Sequence, residues 1–383
     1  MRVLATTTGS AGHFGPLIPF LDAIRGAGGD VLVATRESSA ETIRDAGYPA
    51  WSFADAPAER RAAIFATLRG LPVVEANQRA AQEIFAGIDA DAALPGVLEA
   101  CTQWRPDIVV SEASEFAGGL VAGHLDLPTV TVAITQFAVE HEVFDATDTA
   151  LARLRAAHRL HASNGAGAAH FTLVPPLLER PAQPGRPGVR RFRERDAPAA
   201  RPLPYDWENA DAPLVYVTFG SVAAQMGYFP DLYRAAIEAL APLPIRLLVT
   251  IGRDADPRVL VPTPANVRVE RWIAQSAVVA HAAVVVSHGG SGTVRGALAA
   301  GVPLVVAPLF ADQPDNAERV QELGAGIVLE SDGHGLATAV ARVLADGRFA
   351  ERAATVAADI RALPPVDASV DVVRDLAARG DGG

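Results

Sequence analysis

The sequence predicts an α/β protein of two domains, each a doubly wound parallel sheet. Three observations carry that expectation. The chain has 383 residues, half of them hydrophobic, which is long for one core and comfortable for two. Two βαβ patterns stand far apart, over residues 2–35 and 283–308, and each passes through a glycine-rich turn where strand hands over to helix. Between them a stretch rich in proline and arginine, 175–204, reads as a linker.

Arg2 to Thr6 is the first strand, and Gly9 to Gly15 is a glycine loop holding His13. Pro16 begins a helix, a position where its missing N–H costs little. Leu17, Phe20, Leu21 and Ile24 form the apolar stripe of that helix and Gly28-Gly29 ends it, before a strand from Asp30 to Thr35. Residues 54–102 are helical in character and alanine-rich, with Phe65, Phe85 and Ile88 available for packing. They are too many for a simple crossover and read as an insertion that walls a cleft. Asp107 to Ser111 is the next strand, followed by Glu112, Glu115 and a helix from about Phe116 to His124. Thr129 to Ile134 is another strand, with Gln136 and Phe137 at its carboxyl end. Arg190, Arg191, Arg193 and Arg195 are interrupted by Glu194 and Asp196, so they read as a solvated loop rather than an anion site.

The second half starts with a strand, Leu214 to Thr218, that runs into Phe219-Gly220-Ser221; Leu247 to Ile251 and Val267 to Val269 are further strands. Ala283 to Val286 is rich in β-branched valine, as a buried parallel strand requires, and stops at Ser287-His288. Gly289, Gly290, Ser291, Gly292 and Thr293 follow, then a helical pattern through Ala300 closed by Gly301 and Pro303. A strand from Leu304 to Pro308 leads to Asp312-Gln313. The tail from Asp367 to Ala378 is an amphipathic helix with Val370, Val373 and Leu376 on one face.

Composition removes several classes of function. A net charge of −11 disfavours nucleic acid as a partner. The single cysteine, Cys101, allows no internal disulfide, reads as a buried thiol and suits a reducing cytosol. No apolar run is long enough to span a bilayer, and the first residues read as a strand rather than a signal peptide. A cytoplasmic chain without a membrane partner is therefore expected. All 33 basic residues are arginine, which excludes phosphate-binding and Schiff-base chemistries that need a lysine amine. Asp89-Ala90-Asp91 and Asp254-Ala255-Asp256 mimic a metal-binding carboxylate pair, but their polar, loop-like contexts make solvated carboxylates the expectation, and no metal is expected.

The turn at 289–293 has the chemistry of an anion site. The first N–H groups of a helix have no intrahelical partner, and the helix dipole places partial positive charge beside them. Ser291 and Thr293 add hydroxyls, His288 an imidazole, and Asp312 and Gln313 stand at the carboxyl end of the next strand. A phosphate with a sugar attached satisfies all of these groups. A lone histidine such as His13 is ordinarily a capping or packing residue. Its place at the carboxyl end of the first strand, where α/β sheets hold ligands, favours a functional one. A helix N-terminus also disfavours imidazolium, leaving a neutral ring able to take a proton.

The stretch from Trp272 to Asn316, together with GSAGHFGPLIP at 9–19, resembles the GT-B glycosyltransferases of family one, and more narrowly the bacterial enzymes that decorate natural products with sugars. The likeness covers nearly the whole chain. It implies a GT-B fold: two Rossmann-like domains facing a central cleft, an acceptor-binding one over 1–204 and a nucleotide-sugar-binding one over 205–365, with the helix in 366–383 crossing back to the first. It implies an inverting, metal-independent hexosyltransferase with no cofactor, the nucleotide-sugar being a co-substrate. His13 would deprotonate the acceptor hydroxyl. Glu112 stands where the family places the aspartate that orients the base, one methylene longer, and Glu115 is left as an alternative partner. The donor would be held by Ser221 beside the phosphates, Trp272 stacked on the base, the Ile273 backbone at the base edge, and Gln275. His288, Gly290, Ser291, Gly292 and Thr293 would hold the diphosphate, Asp312 and Gln313 the sugar hydroxyls, and Asn316 would help at the diphosphate. Phe14, Phe85, Gln136 and Phe137 would line an apolar pocket for a small-molecule aglycone. Plant members carry a ribose-binding glutamate at the position of Gly296, so its absence points to dTDP rather than UDP. A homodimer is left open.

Three rival readings are weaker. Gly290-x-Gly292 with Asp312 about 20 residues on mimics an NAD(P) fingerprint, but the third glycine, Gly296, is one position late. Gly289-Gly290-Ser291-Gly292 is similar to a hydrolase nucleophile elbow, yet Thr293 replaces the closing glycine. A non-catalytic sugar-nucleotide binder would not need His13.

Overall fold

The computed structural model describes residues 1–161, 167–180, 188–196, 202–207, 209–330 and 334–380. Part of the linker expected at 175–204 lies outside the described residues. The chain separates into two units, one of Met1–Pro175, Pro181–Arg195 and Leu363–Gly383, the other of Pro176–Arg180 and Asp196–Ala362.

The first unit holds seven strands: β1 (Arg2–Thr7), β2 (Asp30–Arg36), β3 (Ala50–Phe53), β4 (Ile108–Glu112), β5 (Thr129–Val132), β6 (Ala168–Thr172) and β7 (Val189–Arg191). All pair in parallel, in the order β3-β2-β1-β4-β5-β6-β7. β1 and β4 are buried along nearly their whole length, which is why both are apolar runs rather than alternating ones. The order reverses between β1 and β4, and a sheet that reverses opens a crevice at the carboxyl ends of the two strands.

Two elements differ from expectation. The segment after β1 is not a loop up to Pro16: a short helix, Ala11–Phe14, precedes the helix Ile18–Gly26. Pro16 has no N–H to continue the ladder, so Leu17 bonds back to Phe14 at 3.0 Å and the helix is cut in two. The arginine cluster is not a solvated loop either. Arg190 and Arg191 belong to edge strand β7, because Phe192 buries its ring against Phe20 and Phe171. Arg193 exchanges backbone hydrogen bonds of 2.9 Å with Pro364 and Val366. The following helix, Ser369–Gly380, buries Val370, Val373 and Leu376 in the core of the first unit.

The insertion folds as helices Ala58–Leu68, Val73–Arg79, Ala80–Asp89 and Ala90–Trp104. Its last helix packs Leu94, Val97 and Cys101 into a core with Leu4 and Val109. Burial pushes the Cys101 thiol up to about 12, so it is inert packing. Phe65 is exposed rather than packed, with the Arg61 guanidinium over its ring.

The second unit holds β8 (Leu214–Thr218), β9 (Arg246–Thr250), β10 (Val267–Glu270), β11 (Ala282–Ser287), β12 (Leu304–Val306) and β13 (Gly326–Val328). All are parallel, in the order β10-β9-β8-β11-β12-β13, with the reversal between β8 and β11. Among the described residues no helix is long and apolar enough to cross a membrane.

Candidate active site

Each reversal point carries sequence-predicted residues. In the first unit β1 and β4 are neighbours, with Thr6 opposite Ser111, so the residues just beyond them converge. Glu112 ends β4 and is fully buried. Its Oε1 accepts from the Thr8 N–H at 3.2 Å and the Thr8 hydroxyl at 3.0 Å, and stands 3.1 Å from His13 Nδ1; its Oε2 accepts from the Ser114 N–H at 2.6 Å. Burial alone would raise this carboxyl. The charge and hydrogen bond of His13, with the Ser114 and Thr8 N–H groups, outweigh burial and hold it below the usual carboxylate range. An ionised carboxylate only accepts hydrogen bonds, so in the neutral ring the proton sits on Nδ1 and the lone pair on Nε2.

The longer glutamate therefore reaches the histidine. Glu115 is engaged otherwise: it caps the helix Phe116–His124, accepting from the N–H groups of Ala117 and Gly118 at 2.9 Å each. Burial raises its carboxyl to about 7. The helix N-terminus expected at His13 needs correcting, because the ring stands in the last turn of a four-residue helix and not at the N-terminus of a long one. A single turn has almost no dipole, and the buried carboxylate governs the tautomer instead.

The acceptor candidates scatter. The Phe85 ring lies 5.5 Å from that of His13. Phe14 does not join it: its ring is buried in the core, edge-on to Tyr48 at 5.7 Å. Phe137 packs edge-on against His170 at 4.7 Å, and Gln136 is buried. Sequence reading missed Thr8 as a partner of Glu112; its position just beyond the carboxyl end of β1 was the available signal.

In the second unit β11 ends at Ser287, and His288 follows, buried. Burial lowers its imidazole to about 4, with a hydrogen bond to the Thr218 backbone opposing, so the ring is neutral. Two glycines make room for it. A Cβ on Gly220 would stand 2.7 Å from His288 Nε2, and one on Gly290 only 2.6 Å. Of the turn glycines, Gly292 is the one that opens on free space, at the N-terminus of the helix Ser291–Ala299, whose first turn has no side-chain cap. Thr293 and Gln275 hydrogen-bond each other at 3.3 Å. Ser221 is exposed in the turn after β8. Trp272 is 54% exposed, and the Arg253 guanidinium, not foreseen from sequence, lies 4.0 Å over its ring centre; Ile273 beside it is half-buried.

Gln313 and Asn316 have structural bonds that the sequence did not show. Gln313 is buried, and its Oε1 accepts from the N–H groups of Leu309 and Phe310 at 2.9 Å each, closing the turn after β12. Asn316 is buried too and donates from Nδ2 to the Gly289 carbonyl at 3.0 Å and to Asp312 Oδ2 at 2.9 Å. It thereby fixes both the glycine turn and the acid. Of the two aspartate pairs, Asp89 departs from the expected solvated state, while Asp91, Asp254 and Asp256 stay at the surface. Asp89 is buried against Arg61, Asp91 stands 2.8 Å from His158, Asp254 accepts from Gln225, and Asp256 from Arg258.

Comparison with known proteins gives a consistent answer. Residues 22–143 match the N-terminal domain, and 234–378 the C-terminal domain, of the erythromycin biosynthesis protein CIII-like family. The chain is 30% identical to the elloramycin glycosyltransferase ElmGT of Streptomyces olivaceus over 96% of its own length and 95% of that protein's. It is 28% identical to the TDP-daunosamine transferase DnrS of Streptomyces peucetius, over 99% and 97%. Among solved structures, the glycosyltransferase SnogD of Streptomyces nogalater superposes with a TM-score of 0.79 at 28% identity, covering 98% of this chain and 99% of that one. With them the oxidoreductase, hydrolase and binding-only readings fall. Sheet order, glycine turn and these likenesses together place the chain in the bacterial natural-product glycosyltransferases of family one, as a GT-B enzyme that transfers sugar to a natural product.

Proposed function

We propose that the enzyme transfers a hexose, with inversion, from a dTDP-sugar held in the second unit to a hydroxyl of a small acceptor held in the first, with His13 as general base. The observation that carries this is the His13–Glu112 pair: a fully buried, ionised Glu112 at 3.1 Å from Nδ1 fixes the ring with its lone pair on Nε2. As the acceptor oxygen bonds to the anomeric carbon, its proton passes to Nε2. The bond from that carbon to the diphosphate oxygen breaks, and the electron pair leaves with the diphosphate. A single displacement from the opposite face inverts the anomeric centre. The Gly290–Thr293 turn and the neutral His288 would receive the charge that develops on the diphosphate, the role a preorganised polar cradle performs without a metal. Asp312, held by Asn316, would take sugar hydroxyls, and the face of Trp272 opposite Arg253 would take the base.

Two observations support dTDP as the donor nucleotide. The relative DnrS is named for a TDP-sugar. At Gly296 a Cβ would stand 2.8 Å from Gln275 Nε2, so Gln275 fills the space in which a ribose-reading side chain would otherwise sit. Calorimetric titration of the purified enzyme with dTDP and UDP tests the assignment. Tighter binding of dTDP is expected; tighter binding of UDP would overturn the donor assignment and leave the enzyme class intact.

A further inference from the structure

The carboxyl ends of β9 and β10 bring two side chains of the second unit together. The strands pair in parallel up to Thr250 and Glu270, and the pairing runs on past both. The Ile251 N–H donates to the Glu270 carbonyl at 3.0 Å, and the Gly252 N–H to the Arg271 carbonyl at 2.9 Å. Gly252 then turns the chain with φ at +96°, a conformation that residues with a Cβ rarely adopt. The next residue on each side is Arg253 and Trp272. The Arg253 guanidinium stands 4.0 Å over the centre of the Trp272 ring. That is well inside the roughly 6 Å at which a cation is drawn to an aromatic face, and tryptophan is the strongest partner of this kind. The chain beyond Arg253 is anchored as well: Asp254 accepts from Gln225 Nε2 at 2.8 Å, and Ala255 is buried.

Trp272 is nevertheless more than half exposed. With the guanidinium over one face, the exposed surface belongs to the other face and the edge. An exposed side chain samples several rotamers, and a ligand that stacks on it loses affinity to the ordering of the ring. A cation behind the ring holds its plane before the ligand arrives, so less ordering is left to the binding step.

We propose that Arg253 is a positioning residue of the donor site: it backs the Trp272 ring and presets it as a platform for the nucleotide base, without touching the nucleotide. The proposal rests on the reading of Trp272 as the residue that takes the base.

Calorimetric titration of dTDP into the full-length wild type, Arg253→Met, Arg253→Lys, Trp272→Ala and the double variant Arg253→Met/Trp272→Ala tests it as a double-mutant cycle. Arg253→Met keeps an unbranched side chain and loses the charge. It should bind dTDP about two- to fivefold more weakly than the wild type, and Arg253→Lys, still a cation, should keep part of the affinity. The double variant should bind like Trp272→Ala alone, within about 1.5-fold, because Arg253 acts only through the ring. Unchanged or tighter binding in Arg253→Met overturns the proposal. So does a loss in the double variant equal to the product of the two single losses, which would mean that Arg253 meets the nucleotide itself. Either result leaves Trp272 in the donor site. An unchanged affinity in Trp272→Ala removes the base reading instead, and absence of dTDP binding in the wild type removes the donor reading; the proposal falls with each.

Discussion

Both sheets reverse their strand order once; the first gathers His13, Glu112 and Glu115 at the reversal, and the second sets His288 there. In the first unit a buried ionised carboxylate is kept charged by a histidine and three donor groups, and a second carboxylate beside it is raised to about 7. In the second unit the imidazole is wedged between two glycines and lowered to about 4, and the rest of the turn is backbone and hydroxyl. Proton transfer needs a group that can change charge at neutral pH; binding a diphosphate needs a cradle that does not. On the proposed reading, the same architecture serves each purpose through the side chains set at its own reversal point.

The largest expected effect follows from the first of these. His13→Ala should lower kcat for sugar transfer by about 10²–10⁴-fold, the usual contribution of a positioned base. Glu112→Gln should lower it in the same direction but less, because the ring stays in place while the tautomer is no longer enforced. Steady-state assays with a dTDP-sugar and an acceptor check both. Equal activity in either variant would mean that the pair is structural.

Opposite pH slopes come next. Glu115 titrates near 7 when folded and near 4.3 when unfolded, so between those values the native state binds more protons and stability falls as pH rises. His288 titrates near 4 when folded and near 6.5 when unfolded, so there the unfolded state binds more protons and stability rises with pH. Relative to the wild type, Glu115→Gln should gain stability from about pH 4.5 to 7, and His288→Asn should gain it from about pH 6.5 down to 4, each on the order of 1–3 kcal/mol. Denaturant melts at several pH values read both slopes, and parallel slopes in the two variants would erase the contrast.

The smallest effect concerns the nucleotide base. Trp272→Ala should weaken dTDP binding severalfold, on the order of 0.5–1.5 kcal/mol for a lost ring contact, with kcat at saturating donor nearly unchanged. An unchanged dTDP affinity would remove Trp272 from the donor site.

Much of the framework was legible in the sequence because the central strands are buried on both faces and so read as unbroken apolar runs, as at Val3–Ala5 and Val284–Val286. β7 and β13, three residues each, are too short to show a pattern, and β7 is dominated by arginine. Position at a strand end pointed to His13 and His288, and the family resemblance added Glu112 and the role expected of His13. The choice between Glu112 and Glu115 needed space, since it depends on β4 lying beside β1 while Glu115 turns back to cap its own helix. The amide oxygen of Gln313 and the amide nitrogen of Asn316 look like ligand groups in sequence, but the N–H groups of the adjoining turn claim the first and the distant Gly289 carbonyl the second. Phe14 illustrates the same limit: a phenylalanine beside the proposed base can face the core, and helical phase decides.

Titration of dTDP into His13→Ala and Gly290→Ala, side by side with the wild type, is the most direct test of this division of labour. We expect His13→Ala to bind dTDP within about twofold of the wild type. Gly290→Ala, whose new Cβ would stand 2.6 Å from His288 Nε2, should lose about tenfold or more. Weakened binding in His13→Ala with full affinity in Gly290→Ala would contradict the assignment of donor and acceptor to the two units.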